Sequence, residues 1–216
     1  MADCGLISGN TLFQESYYKA HEKEFLDLVE NGQHPKALYI GCSDSRVLPN
    51  LITKSSPGDL FVIRNVGNFV APYNPDNSFH STASAIEYAV SVLKVENIIV
   101  CGHTHCGAIA SVHSKAGLDD PELAHTKKWL TLGEAPKNQA ILALGVNADK
   151  ETLLRLTEKL SVITQIENLL TYPSVKKRVD SGAINIHGWV YDIESGNIEY
   201  YDPETSQYQS LSSLKK

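Results

Sequence analysis

The sequence predicts a single α/β domain spanning residues 1–216, with a mostly parallel central β-sheet flanked by helices and a helical arm over about residues 9–32. Three features predict it. Residues 37–42, 59–64 and 97–102 are short apolar runs of the kind that form buried parallel strands. Each runs directly into a polar cluster: Ser43-Asp44-Ser45-Arg46, Asn65-Val66-Gly67-Asn68 and His103-Thr104-His105-Cys106-Gly107. Apolar residues at helical spacing fill the interval between the second and third runs. Ligands of open α/β sheets gather at the carboxyl ends of strands, where all three clusters fall.

In chain order, the arm carries Leu12, Phe13, Tyr17, His21, Phe25, Leu28 and Val29 close to helical spacing, with Asn10 or Thr11 as its cap and Asn31-Gly32 as its stop. Its place ahead of everything else predicts that it wraps over the body or over a second subunit. Residues 81–93 set Ala85, Ile86, Ala89, Val90 and Leu93 on one helical side, and another helix starts near Cys106. Residues 151–170 place Leu153, Leu154, Leu156, Leu160, Ile163, Ile166, Leu169 and Leu170 at helical spacing. The heptads are not sustained, so this stripe reads as core rather than coiled coil. Pro173-Ser174 opens a shorter helix. Residues 183–191 and 197–201 alternate like strands about a Glu194-Ser195-Gly196 turn, and the aromatic tail from Tyr200 to Tyr208 reads as packing followed by an exposed end.

Composition narrows the function. With 42% apolar and 20% charged residues the chain is not a disordered one. Lys plus Arg is 19 against 25 for Asp plus Glu, a net charge of −6, which argues against a sequence-independent nucleic-acid binder. No apolar run approaches the ~18 residues of a membrane helix. The first residues lack the basic-then-apolar pattern of an export signal, so the expected location is cytoplasmic, with reduced thiols. Of the four cysteines, Cys101 sits inside an apolar run as a small core residue, and Cys4 has no evident role.

The chemistry gathers around Cys42, His103 and Cys106. Thiolate and imidazole suit zinc, and three protein ligands leave a fourth position for water or substrate. His105 could close that position instead. Asp44, two residues beyond Cys42, could itself ligate a metal or hold a water, and Arg46 offers a planar fork that pairs bidentately with a carboxylate. The His-x-Glu and Pro-Cys-x-x-Cys signature of zinc deaminases is absent.

Four segments together resemble the β-class carbonic anhydrases in order and spacing: Cys42-Ser43-Asp44-Ser45-Arg46-Val47, Arg64-Asn65-Val66-Gly67-Asn68, Ser84-Ala85-Ile86-Glu87-Tyr88-Ala89 and Gly102-His103-x-x-Cys106-Gly107. The resemblance runs from about residue 10 to Gly188-Trp189-x-Tyr191. It implies a zinc lyase that hydrates CO2 reversibly to bicarbonate and a proton, through attack by a zinc-bound hydroxide. It further implies one Zn2+ per chain on Cys42, His103 and Cys106, with Asp44 and Arg46 as the catalytic orienting pair. Gln33, Phe61, Val66, Tyr88 and the Gly107 amide fall at substrate-binding positions. Tyr39 stands where a second branch of the family has a tryptophan in a bicarbonate site, and with Gln33 present the resemblance favours the branch whose site stays open. Arg64 contacts either the site or a neighbouring subunit. His105 reads chiefly as a surface or interface residue, with a proton acceptor as the alternative. The implied partners are CO2 and bicarbonate, no nucleic acid, no membrane, and a second copy of the chain in a homodimer or a homotetramer. The rival readings are a COS or CS2 hydrolase on the same scaffold, and a non-catalytic zinc-stabilised binding module.

Overall fold

The computed structural model describes residues 5–114 and 120–214, so Cys4 lies outside the described residues. The arm comprises α1 (Leu6–Phe13), a π-helical turn (Gln14–Tyr18) and α2 (Lys19–Asn31). The body follows as β1 (Ala37–Cys42), α3 (Pro49–Thr53), β2 (Leu60–Asn65), α4 (Ser81–Glu87) with a π-helical extension (Tyr88–Val92), β3 (Asn97–His103) and α5 (Gly107–Ser114). Then come α6 (Ala124–Leu130), α7 (Glu134–Leu144), α8 (Lys150–Leu169), α9 (Pro173–Asp180), β4 (Asn185–Tyr191), β5 (Ile198–Asp202) and β6 (Gln207–Ser210).

The strands form one six-stranded sheet in the order β2-β1-β3-β4-β5-β6. β2, β1, β3 and β4 are mutually parallel, and β5 and β6 are antiparallel additions. All of β1 is buried, as a central parallel strand covered on both faces must be. Its side chains alternate between two clusters. Leu38 and Ile40 join Ile98, Val100, Ile86, Val90, Val162 and Leu169 under α4 and α8, while Ala37 and Tyr39 join Ile99 and Cys101 on the other face. Cys101 is indeed a core residue, its thiol pushed up to about 12 by burial.

Two sequence expectations about helices change. α1 begins at Leu6 behind Gly5, whose φ is 81°, so Asn10 and Thr11 lie inside it rather than capping it. Their side chains bond within the helix instead, Gln14 Nε2 donating to Asn10 Oδ1 and Thr11 Oγ1 donating to the Ile7 carbonyl. Gly32, with φ 78°, does end the arm. No residue of the arm is fully buried, although Leu28 lies against Gly58. The second change concerns α8. Its most buried face is largely polar, comprising Thr157, Glu158, Ser161, Val162, Gln165 and Leu169, and most of the leucines flank it half-buried. This face lies against polypeptide backbone. Gln165 Oε1 accepts the Val70 N–H and Asn168 Nδ2 donates to the Val70 carbonyl, so hydrogen-bonding side chains are needed there.

Sequence reading also missed α3, α6, α7 and β6. These are short, and the 124–144 stretch is interrupted by Gly133 and Pro136, which blur its periodicity. The tail packs as expected and does so as a paired edge strand: Tyr208 is half-buried, and its hydroxyl donates to the Lys159 carbonyl at 2.8 Å. Among the described residues no helix is long and apolar enough to cross a membrane.

α8 lies close on the sheet because β3 and β4 present glycines beneath it. A Cβ on Gly102 would meet Val162 Cγ2 at 2.8 Å, and one on Gly188 would meet Ile166 Cδ1 at 2.9 Å and Val162 Cγ1 at 3.1 Å. Gly188→Ala is therefore expected to destabilise the fold by about 1–3 kcal/mol through overpacking, measured by urea unfolding, with Val162→Ala in the same chain restoring part of the loss.

Candidate metal centre

Cys42 is the last residue of β1 and His103 the last of β3. These strands are parallel neighbours with Gly41 opposite Cys101, so both side chains emerge at the same edge of the sheet. The chain then turns through Thr104 and His105 and places Cys106 immediately before α5. One ligand atom from each of Cys42, His103 and Cys106 lies within 4.8 Å of the others, and all three residues are buried. Among the described residues this is the one group with a metal-site arrangement.

The donor chemistry fits a divalent ion of the zinc type. His103 Nδ1–H donates to the Thr104 carbonyl at 2.9 Å, which fixes the tautomer and leaves Nε2 as a buried acceptor with no hydrogen-bond partner. The Cys42 sulfur is prepared as a thiolate. Hydrogen bonds from Cys106 and from the Asp44 and Gly67 amides hold the Cys42 thiol well below its ordinary value, against the upward pull of burial. Cys106, the donor in that pair and itself buried, is pushed up, while the Ile109 and Ala108 amides at the start of α5 work in the other direction. The Gly67 N–H reaches Cys42 Sγ at 3.4 Å; Gly67 has φ 80°, and a Cβ there would lie 2.9 Å from Ala108 Cβ. Two soft thiolates and one imidazole make a three-ligand set with one position to spare.

Neither alternative ligand closes the set. His105 has a left-handed backbone (φ 58°), and its Nε2 lies 3.5 Å from Glu194 Oε1, away from the sulfurs. Asp44 is held by Arg46 through three contacts: Nε to Oδ1 at 2.9 Å, Nη2 to Oδ2 at 2.7 Å and the backbone N–H to Oδ1 at 3.0 Å. Those hydrogen bonds hold the Asp44 carboxyl well below the usual carboxylate range. Its Oδ2 is 4.0 Å from His103 Nε2, beside the ligand group rather than within it. Arg64 contacts the site within its own chain, donating from Nε to the Cys42 carbonyl at 3.0 Å and from Nη2 to the Asp44 carbonyl at 2.7 Å.

The expected substrate residues divide. Val66 is exposed beside Gly67, its carbonyl accepting Trp129 Nε1–H at 2.7 Å, and Gly107 opens α5 with free space at its Cα. Phe61 and Tyr88 are not brought to the group. Phe61 pairs with Leu38, four residues before Cys42, about 13 Å back along the strand. Its ring stacks on Tyr88 at 5.9 Å. Gln33 is exposed in the loop before β1.

Two supports escaped sequence reading. Thr104 is bound to the β4–β5 turn, its hydroxyl donating to Asp192 Oδ1 at 3.1 Å and accepting the Ile193 N–H at 3.0 Å. Glu158, buried on α8, accepts the Cys106 N–H at 2.9 Å and pairs with Arg155 at 3.0 Å; burial raises its carboxyl to about 7. One glutamate among the three of an amphipathic helix carries no sequence signal for such a role.

Comparison with known proteins agrees with this geometry. The family model for carbonic anhydrase matches residues 37–198. The chain is 42% identical over 206 residues to a carbonic anhydrase of Pseudomonas aeruginosa, covering 95% of this chain and 90% of that one. It is 36% identical over 203 residues to one from Helicobacter pylori, covering 92% and 90%. Among solved structures, the β-carbonic anhydrase CcaA superposes with a TM-score of 0.87 at 40% identity, over 95% of this chain and 90% of that one. One of two β-carbonic anhydrases from Sordaria macrospora described as tetrameric gives 0.74 at 32% identity, over 91% and 94%.

Because a ligand that binds only the folded state raises stability by mass action, added Zn2+ or Co2+ should raise the melting temperature of the wild-type chain. Metal titrations of Cys42→Ala, His103→Ala and Cys106→Ala, followed by differential scanning fluorimetry, should show little or none of that rise.

Proposed function

The chain belongs to the β-class carbonic anhydrases, lyases that interconvert CO2 and bicarbonate, and on that premise we propose which of its residues carry the reaction. The observation that carries the proposal is the buried Cys42–His103–Cys106 group beside an Asp44 held by Arg46. Cys42, His103 and Cys106 would hold one Zn2+. When bound, zinc supplies Lewis acidity that lowers the pKa of water and makes a nucleophile available near neutral pH. Two thiolates donate more charge than neutral imidazoles, so hydration is expected to strengthen toward alkaline pH.

Asp44 orients the nucleophile. Arg46 occupies both of its oxygens and keeps the carboxyl ionised, so it accepts a hydrogen bond from the attacking water's O–H and turns a lone pair toward the carbon of CO2. The Gly107 amide, at the open N-terminus of α5, would donate to the oxygen on which negative charge develops. Val66 would supply apolar surface at the rim. The pairing of Asp44 with Arg46 supports a site that stays open. Neither COS or CS2 hydrolysis nor a non-catalytic zinc module gains support, since the relatives named above are all carbonic anhydrases.

The assembly is proposed as a homodimer or homotetramer in which the arm lies on a second copy. The arm exposes Leu6, Ile7, Leu12, Leu26 and Val29, a run of apolar surface that a partner would cover. Gln33, Phe61 and Tyr88 stand apart from their own metal group and would line the CO2 pocket across that interface. A cytoplasmic location accords with the free thiols of Cys42, Cys101 and Cys106 and with the bacterial relatives.

Stopped-flow CO2 hydration from pH 6.5 to 9, on protein of known zinc content, tests the reaction. The wild type should hydrate CO2 at a rate that rises with pH through one ionisation. Asp44→Asn should lose about 10–100-fold with its zinc retained. A zinc-replete wild type with no hydration at any pH would overturn the assignment, and a fully active Asp44→Asn would overturn the orienting role. Light scattering of the full chain should give a dimer or larger. A chain lacking residues 1–31 should shift to smaller species, and a monomeric full chain would contradict the assembly.

A further inference from the structure

The peptide unit joining His105 to Cys106 is gripped at both ends by charged groups. Its carbonyl, that of His105, accepts Arg46 Nη2 at 3.0 Å, and its N–H, that of Cys106, donates to Glu158 Oε1 at 2.9 Å. In a trans peptide these two groups point in opposite directions. The left-handed φ of His105 sets the unit across the gap between β1's loop and α8. A guanidinium stands at the negative end of the peptide dipole and a carboxylate at its positive end, an arrangement that polarises both hydrogen bonds.

Glu158 is an expensive way to satisfy one amide. It is 3% exposed, and Oε1 takes both the Cys106 N–H and Arg155 Nη2, while Oε2 and the Nε and Nη1 of Arg155 are buried without partners. A glutamine or a backbone carbonyl would accept the same N–H without the desolvation of a charge. A carboxylate at this point supplies two things that a neutral acceptor does not: a stronger hold on the peptide, and negative charge beside the ligand turn.

We infer that Glu158 is a positioning residue for the metal centre. Through the 105–106 peptide it fixes the aim of the Cys106 thiolate and, by way of Arg46, the placement of Asp44. A continuous chain of contacts runs from Asp44 through Arg46, the His105–Cys106 peptide and Glu158 to Arg155 on α8. The first half of a helix remote in sequence thus sets the relation between a candidate metal ligand and the orienting carboxylate. This inference rests on Cys42, His103 and Cys106 holding a metal.

The test is Co2+ binding, measured by competition with a chromophoric chelator together with the thiolate-to-cobalt charge-transfer absorption, on wild type, Glu158→Gln, Glu158→Ala and Thr157→Val. Thr157 is a buried neighbour on α8 whose hydroxyl bonds His113 at 2.9 Å, and it serves as the control for stability alone. Glu158→Ala should bind Co2+ about 10–100-fold more weakly, with a shifted charge-transfer band. Glu158→Gln, which keeps an acceptor for the Cys106 N–H, should fall between it and the wild type. Thr157→Val should lose thermal stability while keeping the wild-type affinity and spectrum. Wild-type affinity and spectrum in Glu158→Ala would overturn the inference, whatever its melting temperature. If that variant does not fold, the same result in Glu158→Gln overturns it. A wild type that binds no Co2+ would instead overturn the metal centre itself.

Discussion

β1 and β3 lie side by side in parallel, with Gly41 opposite Cys101, and the rest of the site depends on that pairing. Parallel neighbours end at the same edge of a sheet, so their C-terminal residues, Cys42 and His103, are delivered to one place by backbone hydrogen bonding alone. Cys106 then needs only a two-residue turn to reach the same spot. The neighbouring β2 ends at the same level, with Asn65 opposite Cys42, and its following loop brings the Gly67 amide onto the Cys42 sulfur. One register therefore positions two candidate ligands directly and, through Gly67, the support of one of them. A slip of one residue would turn Cys42 to the opposite face of the sheet.

The helix that covers this edge meets polar backbone rather than a uniform apolar surface. The buried face of α8 answers group by group: Thr157 to His113, Glu158 to the Cys106 amide and Gln165 to the Val70 amide, with Asn168 reaching the Val70 carbonyl from the flank. Gly102 and Gly188 let the helix come close enough for these side chains to reach. Burying polar groups is unfavourable without partners, and the partners found here are mostly backbone groups of the loops that form the site, although Ser161 Oγ, Gln165 Nε2 and Glu158 Oε2 have none. The loop positions and the helix position thereby specify one another.

Charge is distributed around the centre in pairs. Asp44 is answered by Arg46, Glu158 by Arg155, and the carbonyls of Cys42 and Asp44 by Arg64. This matters because two thiolates concentrate negative charge in a buried group, where Coulombic interactions are screened little. Each arginine also donates to, or acts through, the backbone of a ligand-bearing segment, so the electrostatic partners double as geometric restraints. The arm has the opposite character: its aromatic rings stack on one another, yet its apolar face meets little of its own chain.

The sequence alone determined strands β1 to β5, their polar ends, the candidate ligand types and the Asp44–Arg46 pair. These depend on local composition and on short spacing: apolar runs of strand length, a Cys and a His at strand termini, and a carboxylate and a guanidinium two residues apart. It placed the α8 stripe in the core, where Leu169, Ile166 and Leu154 do pack, but missed the helix's polar buried face, because hydrophobic periodicity is blind to polar residues that backbone will satisfy. It could not place Phe61, about 13 Å back along the sheet from the level of Cys42, or Tyr88, whose ring stacks on it. Nor could it find Glu158, separated from Cys106 by 52 positions. Where the His105 and Asp44 side chains point was likewise decided only by tertiary structure. The deciding facts were one positive φ and one bidentate ion pair, and directions of that kind are set by hydrogen bonds between segments that only the folded sheet brings together.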